Sequence, residues 1–278
     1  MKVNHMSEIR VIALDLDGTL TTSDKKITKH TKEIIHRAIK EKDAKIVLAS
    51  GRPTPGVREV VKQLKLDELG GYMLAYNGGM ILDAKDEKVL DVTYLDRSVY
   101  ATICGVTEHF KDVAPLTYEG DIIISSAPEN PYLKEEMRCT RMKAEVCDDL
   151  LARVGDREVV KFLVIGEPSL LPPVKDYLEP LIGDKADLFF SCPFFLECVP
   201  KGVNKGQKMQ TLLELTGYKK ENLMGCGDAL NDIPLLEASG VAVAMENAYD
   251  EVKAVADFVT LSNDRDGAAF AIEKYVLD

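Results

Sequence analysis

The chain contains no tryptophan, only 6% aromatic residues and only four histidines among its 278 residues. A core with so few rings must be built mainly from Leu, Val, Ile and Ala, which is typical of α/β proteins. The six cysteines form no Cys-x-x-Cys pair and the histidines are scattered, which argues against a structural zinc site. We therefore expect reduced thiols and a cytoplasmic protein.

Long apolar runs and an excess of basic residues are absent as well. No stretch approaches the roughly 18 apolar residues of a membrane span, and no apolar segment resembling a signal peptide precedes Ile9. Lys and Arg number 35 against 46 Asp and Glu, a net charge of −11. Because nucleic-acid backbones attract basic surfaces, this balance argues against nucleic acid as a partner. It is compatible with a small anionic substrate, since a few local cations can reverse the field within one cleft.

The most informative segment is the apolar stretch Val11–Leu14, which runs directly into Asp15-Leu16-Asp17-Gly18. Its composition predicts a buried strand that ends on two carboxylates, at the sheet edge where open α/β proteins bind ligands. Two carboxylates about 4 Å apart repel by about 4 kcal/mol at an effective dielectric near 20. We therefore expect a cation beside Asp15 and Asp17, most simply Mg²⁺, which prefers oxygen ligands.

Predicted strands and helices alternate at the start of the chain. In order they are a strand Ile9–Leu14, a helix Thr31–Lys42, a strand Ile46–Ala49, a helix over about 54–66 and a strand Tyr72–Tyr76. This order predicts a parallel sheet with right-handed crossovers.

The alternation is interrupted in the middle of the chain and returns near its end. The middle segment mixes short strands with helices, one of them predicted over about 131–151. We therefore predict an α/β fold, with a Rossmann-like, doubly wound parallel sheet as the core and an inserted α+β cap domain. The predicted core comprises residues 1–83 and 191–278, and the predicted cap residues 84–190.

Three further segments carry polar residues after predicted strands or at predicted helix starts. They are Ser50-Gly51-Arg52, Lys205 after Asn204, and the run 227–232 (Gly-Asp-Ala-Leu-Asn-Asp). Each has a simple structural explanation, because Ser50 could turn the chain, Lys205 could be an exposed lysine, and Asp228 could cap a helix. The functional interpretation instead places a hydroxyl, an ammonium and two more carboxylates at one sheet edge.

Together these segments resemble the four motifs of the haloacid dehalogenase superfamily. Residues 15–20 (Asp-Leu-Asp-Gly-Thr-Leu) are similar to the first motif, Ser50 to the second, Lys205 to the third, and residues 227–232 to the fourth. The insertion after the third strand, together with Asn77-Gly78-Gly79, resembles the Cof-type phosphatases with a type IIB cap.

This resemblance implies a phosphatase mechanism. Asp15 would attack phosphorus to form an aspartyl-phosphate, and Asp17 would protonate the leaving alcohol and then activate water. Ser50 and Lys205 would bind the transferring phosphoryl group. The resemblance further assigns the Mg²⁺ site to Asp15, Asp17 through its backbone carbonyl, Asp228 and Asp232, and substrate contacts to Gly51, Arg52 and Asn231.

The expected function is Mg²⁺-dependent hydrolysis of small phosphate monoesters, with sugar phosphates as the favoured class. The expected partner is a small phosphorylated metabolite, without nucleic acid or membrane, and the oligomeric state is left open. One alternative is a phosphomutase, which would return the phosphoryl group to the sugar. Another is a non-catalytic phospho-acceptor regulator, which would also carry an Asp at a strand end but would need neither Asp17 nor a cap.

Overall fold

The computed structural model of the chain describes residues 8–278, which divide into two compact units. The first unit comprises the chain up to Ser50, Val57–Asp91 and Asn204–Asp278, and the second comprises Gly51–Gly56 and Val92–Val203. The two units therefore meet after Asp91 and after Val203, later in the chain than the boundaries predicted at 83/84 and 190/191. The reason is strand pairing, which extends the first sheet to residue 92 and the second sheet to residue 200. The first seven residues of the predicted core lie outside the described range.

The described residues form the following strands and helices. The strands are β1 Val11–Asp15, β2 Lys45–Ala49, β3 Tyr72–Ala75, β4 Met80–Asp83, β5 Val89–Val92, β6 Val113–Glu119, β7 Ile122–Ser125, β8 Lys143–Val146, β9 Phe162–Gly166, β10 Ala186–Cys192, β11 Phe195–Pro200, β12 Leu223–Gly227, β13 Val241–Ala244 and β14 Phe258–Val259. The helices are α1 Lys29–Lys42, α2 Thr54–Leu64, α3 Leu66–Leu69, α4 Tyr100–Cys104, α5 Val106–His109, α6 Pro131–Thr140, α7 Leu150–Val154, α8 Leu171–Ile182, α9 Lys205–Thr216, α10 Ile233–Glu237, α11 Asp250–Ala254 and α12 Gly267–Ile272.

The sheet of the first unit has the strand order β14-β13-β12-β1-β2-β3-β4-β5. The strands from β14 to β3 pair in parallel, and β4 pairs with β3 in the antiparallel sense. Strand β1 lies in the middle, between β12 and β2, so its carboxyl end opens at the centre of the sheet edge. The predicted α/β class with a parallel core sheet is confirmed.

Both faces of β1 are buried, which is why its sequence is apolar throughout. Val11 and Ala13 pack in one cluster with Met209 and Leu212 of α9. The alternate residues of β1 point to the opposite face and are equally inaccessible to solvent. A strand covered on both faces is expected to read as a continuous hydrophobic run that ends where the chain leaves the sheet.

The second unit is built on a six-stranded sheet with the order β10-β11-β9-β6-β7-β8. The predicted helix over 131–151 is wrong, because α6 ends at Thr140 and residues 143–146 form strand β8, which pairs in parallel with β7. The helix stops where Arg141 adopts a left-handed conformation with φ of 59°. Across residues 8–278, no helix is both long and apolar enough to cross a bilayer.

Candidate active site

The carboxyl ends of three neighbouring strands in the first unit meet at one sheet edge. In the parallel register, Asp15 at the end of β1 lies opposite Ala49 of β2, and Leu14 lies opposite Cys226 of β12. The residues that follow these strands are Ser50 and, after Gly227, Asp228. The structure therefore brings three of the predicted site segments together, as expected for parallel strands.

Lys205 completes this constellation from the first turn of α9. The side chain of Asn204 caps the helix by accepting a hydrogen bond of 2.9 Å from the backbone N–H of Gln207. The Lys205 side chain is fully buried, and its Nζ donates to Asp15 Oδ1 at 2.5 Å and to Asp232 Oδ1 at 2.6 Å. The sequence alone left an exposed lysine as an alternative explanation, and the burial excludes it.

Two glycines allow the start of α9 to approach its neighbours this closely. Gly78 has φ of +97°, and a Cβ there would lie 2.5 Å from the carbonyl oxygen of Asn204. A Cβ on Gly206 would lie 2.1 Å from the carbonyl oxygen of Pro234 in α10. Larger residues would push the helix start away from the sheet edge, so these glycines help to fix the position of the Lys205 ammonium.

Three carboxylates gather around the end of β1. One oxygen from each of Asp15, Asp228 and Asp232 lies within 4.8 Å of the others. Asp232 is held tightly, because its Oδ2 accepts hydrogen bonds of 3.0 Å from the backbone N–H groups of Asp228 and Ala229 while its Oδ1 accepts from Lys205. Asp228 is oriented by Thr19, whose Oγ1 donates to Asp228 Oδ1 at 2.7 Å.

Burial and mutual repulsion perturb these groups. The pKa of Asp15 is well above its usual value, mainly because of burial and then because of the Asp232 charge, with Lys205 opposing both. Burial also raises the pKa of Asp228 to about 6, against a hydrogen bond from Thr19 that lowers it. For Lys205, burial lowers the pKa, but Asp15 and Asp232 outweigh it, so the net shift is upward and the side chain stays an ammonium.

This donor set fits a divalent cation that prefers oxygen. If all three carboxylates were ionised, the Lys205 ammonium would leave two negative charges in excess, in a largely buried site. Burial makes such an excess costly, and Mg²⁺ would relieve it through hard oxygen ligands. Asp232 already has both oxygens engaged, so Asp15 and Asp228 are the carboxylates better suited to direct coordination.

The other residues predicted for the site are not part of this carboxylate cluster. The carboxylate of Asp17 is outside the three-carboxylate cluster and accepts a hydrogen bond of 2.8 Å from Lys25 Nζ, where both side chains are partly exposed. Gly51 and Arg52 belong to the second compact unit rather than to the first. Their predicted roles as substrate contacts stay predictions.

Two residues near the site were given no role of their own from the sequence, although Asn77 belongs to the Asn77-Gly78-Gly79 pattern noted above. Lys25 is the first, and no motif in the sequence around it indicated a functional role. Asn77 is the other: it is buried, has a left-handed φ of 57°, and accepts a hydrogen bond of 3.0 Å at Oδ1 from the side chain of Asn231. Its backbone N–H donates to the carbonyl of Ser50 at 2.9 Å, which anchors that serine. The Asn-Gly-Gly sequence directly after β3 was a usable signal for this role.

Comparisons with known proteins identify the family of this chain. Residues 12–272 match the profile of the haloacid dehalogenase-like hydrolases. The crystal structure of a haloacid dehalogenase-like hydrolase from Bacteroides thetaiotaomicron is 37% identical, with a TM-score of 0.89 over 96% of this chain and 99% of that one. The structure of TM0651 from Thermotoga maritima is 30% identical, with a TM-score of 0.86 over 97% and 98% of the two chains.

A relative from Bacillus subtilis carries a named substrate. The 5-amino-6-(5-phospho-D-ribitylamino)uracil phosphatase YcsE is 28% identical over 275 residues, which cover 97% of this chain and 97% of that protein. The profile match spans nearly the whole chain, and the resemblance stated from the motifs is confirmed. The chain therefore belongs to the haloacid dehalogenase-like hydrolases, among their Cof-type phosphatases, and is an enzyme that hydrolyses phosphate monoesters.

Proposed function

We propose that this protein hydrolyses small phosphate monoesters, foremost sugar phosphates, in a Mg²⁺-dependent reaction that passes through an aspartyl-phosphate. The observation that carries the proposal is the fully buried Lys205, which bridges Asp15 and Asp232 while Asp228 lies within 4.8 Å of both. Phosphoryl transfer needs a nucleophile, a fixed cation and a metal-binding carboxylate, and this sheet edge offers a candidate for each.

The residues that would hold Mg²⁺ are the Asp15 carboxylate, the backbone carbonyl of Asp17 and the Asp228 carboxylate. Asp232 would support them indirectly, since it fixes Lys205 and two backbone N–H groups at the start of the fourth motif. When bound, the metal supplies positive charge that offsets the charge on the phosphoryl oxygens.

The chemistry of the chain's own residues has two steps. In the first, a carboxylate oxygen of Asp15 bonds to phosphorus in line with the departing ester oxygen, whose bond to phosphorus breaks while Asp17 gives it a proton. In the second, Asp17 removes a proton from a water molecule that attacks the aspartyl-phosphate, releasing phosphate and restoring the Asp15 carboxylate. For both roles the Asp17 carboxylate must leave Lys25 and reach the ester oxygen, and their partial exposure leaves room for that motion.

Ser50 and Lys205 would hold the phosphoryl group, and Gly51, Arg52 and Asn231 would contact the substrate. The inserted unit would act as the cap that selects the leaving group. The substrate named for the Bacillus subtilis relative, a phosphorylated ribityl compound, supports a hydroxyl-rich leaving group. The six free cysteines support a reducing, cytoplasmic location.

A screen of phosphorylated metabolites with Mg²⁺, scored by released phosphate, tests this proposal. We expect release from at least one sugar or polyol phosphate, loss of that release when Mg²⁺ is chelated, and no release by the Asp15→Asn variant. Transfer of the phosphoryl group to another position of the sugar without free phosphate would instead favour the phosphomutase. Hydrolysis that survives in the Asp15→Asn variant would contradict the mechanism.

A further inference from the structure

The turn that follows β3 has an unusual backbone. Tyr76, Asn77 and Gly78 are three successive residues with positive φ, of 55°, 57° and 97°. Glycine tolerates this left-handed region and asparagine visits it more readily than most residues, but tyrosine rarely does. Tyr76 and Asn77 are also buried. Such a backbone persists only where the surrounding contacts compensate for its cost, and it is concentrated at functional sites.

The backbone around this turn holds Ser50, which is itself buried. The Ser50 N–H donates to the carbonyl of Leu74 in β3 at 2.8 Å, and the Asn77 N–H donates to the carbonyl of Ser50 at 2.9 Å. Both backbone polar groups of Ser50 are therefore engaged by the strand and the turn that follows it. Because buried backbone groups need such partners, the position of Ser50 depends on the position of the turn.

The same turn lies against the start of α9. A Cβ on Gly78 would lie 2.5 Å from the carbonyl oxygen of Asn204, so the turn and the helix start contact each other through their backbones. Asn204 directly precedes Lys205. The turn thus contacts the segments that carry Ser50 and Lys205, the two residues proposed to hold the phosphoryl group.

A hydrogen bond between side chains links the turn to the fourth motif as well. Asn77 Oδ1 accepts from Asn231 Nδ2 at 3.0 Å, across 154 positions of the chain. Asn77 is 6% exposed and Asn231 is half-buried. Asn231 directly precedes Asp232, which is fully buried and accepts a hydrogen bond from Lys205. All these residues belong to the first compact unit, so the link lies within one unit.

The planar carboxamide of Asn231 explains why this bond matters. Its Nδ2 carries two hydrogens and its Oδ1 accepts hydrogen bonds, and all of these directions lie in one plane. Once one hydrogen is directed at Asn77 Oδ1, the directions of the second hydrogen and of the oxygen are fixed with it. A donor held in place before the reaction stabilises developing negative charge better than a mobile one, because it need not reorganise in the transition state.

We propose that Asn77 is a positioning residue for phosphoryl transfer, which holds the Asn231 carboxamide in the orientation that donates to the transferring phosphoryl group. This inference rests on the proposed function, in which Asn231 contacts the substrate. Asn77 acts through Asn231 and need not touch the substrate, since it is buried and its side-chain oxygen is engaged. A residue that served stability alone would leave the kinetics of the folded enzyme unchanged, and this difference can be measured.

The test is the Asn77→Gly variant, because glycine keeps the left-handed backbone and its N–H while it removes the carboxamide. The measurements are hydrolysis of p-nitrophenyl phosphate with Mg²⁺ and its inhibition by orthovanadate, an analogue of the phosphoryl group in transfer. We expect kcat to fall about tenfold and the inhibition constant of orthovanadate to rise about tenfold, as for loss of one hydrogen bond. KM should stay within about threefold, because the interaction is made chiefly in the transition state.

A double-mutant cycle with Asn231→Ala shows whether Asn77 acts through Asn231. When Asn231→Ala is already present, adding Asn77→Gly should change kcat by less than about twofold. A further tenfold fall would overturn the inference. Lys65→Gly is the matched control: Lys65 is also left-handed, with φ of 56°, but it is exposed, and its replacement should change neither kcat nor inhibition by orthovanadate.

A measurement on the wild type does not depend on the folding of any variant. In nuclear magnetic resonance spectra, one side-chain amide hydrogen of Asn231 should exchange slowly with solvent, because it is bonded to the buried Asn77 oxygen, and the other should shift when orthovanadate binds. Fast exchange of both hydrogens, or no shift, would overturn the inference.

The outcomes also separate this inference from the proposed function. An Asn77→Gly enzyme with a lower Tm but unchanged kcat and unchanged inhibition by orthovanadate would overturn the inference, whereas hydrolysis by the wild type would leave the proposed function standing. A wild type that neither hydrolysed p-nitrophenyl phosphate nor bound orthovanadate with Mg²⁺ would refute both.

Discussion

Replacing Lys205 by methionine tests the centre of the proposed site most directly. The substitution keeps the length of the side chain and removes its charge, so Asp15 and Asp232 lose the cation that bridges them. At the 4.8 Å limit of their separation and an effective dielectric of about 20, the two carboxylates would then repel by about 3 kcal/mol. Breaking a buried pair by removing one partner costs about 3–5 kcal/mol, in agreement with this figure.

We therefore expect Lys205→Met to lower the free energy of unfolding by about 3–5 kcal/mol without added metal, a large share of the roughly 5–15 kcal/mol of a typical domain. Urea unfolding followed by circular dichroism measures this loss. Mg²⁺ should restore more stability to the variant than to the wild type, because the unpaired carboxylates attract it more strongly. Under conditions in which the Lys205→Met variant stays folded, its kcat should be at least about 100-fold lower than that of the wild type, because a charge that stabilises the phosphoryl group is gone.

The same helix offers a matched control. Lys208 lies one turn further along α9, is also buried, and pairs with Asp91, which is not one of the three clustered carboxylates. Lys208→Met should also lower stability, but its kcat should stay within about threefold of the wild type. If folded Lys205→Met kept a kcat as high as that of Lys208→Met, or if Mg²⁺ stabilised the two variants equally, the assignment of Lys205 would be wrong.

Three further predictions concern the carboxylates. Asp15→Asn should lower phosphate release by at least about 10⁴-fold while circular dichroism shows an unchanged fold; near-normal release would remove Asp15 as the nucleophile. Asp17→Asn should still form phosphoenzyme from substrates with good leaving groups but break it down slowly, and rapid-quench experiments with normal turnover and no trapped intermediate would contradict this role. Because burial raises the pKa of Asp228 from 3.8 to about 6, metal-free stability should fall as pH rises from about 4 to about 6 and level off above that, where the group is ionised in both states. Mg²⁺ binds the ionised form, so the rise in Tm that it causes should grow between about pH 5 and about pH 7, whereas an equal rise at both would refute the coupling.

The sequence predicted the positions of the candidate site residues best where a residue's position follows from its own strand. Val11–Leu14 is apolar because both faces of β1 are covered, so the end of the strand, and with it Asp15, could be located from composition alone. Parallel strands then place Ser50 and Asp228 at the same edge without further information. The helix predicted over 131–151 failed because the left-handed turn at Arg141 and the pairing of β8 with β7 depend on tertiary context.

The sequence by itself determined which sheet edge carries the candidate site, because the hydrophobic pattern of each strand is local and parallel pairing puts the carboxyl ends of the strands at one edge. Only the tertiary structure decided the contacts between side chains that are far apart in the chain. Lys205 meets Asp15 across 190 positions, and Lys161, directly before β9, meets Glu197 of the neighbouring strand β11. Such contacts depend on how closely helices and strands pack, at positions such as Gly78 and Gly206, and no local pattern encodes those distances.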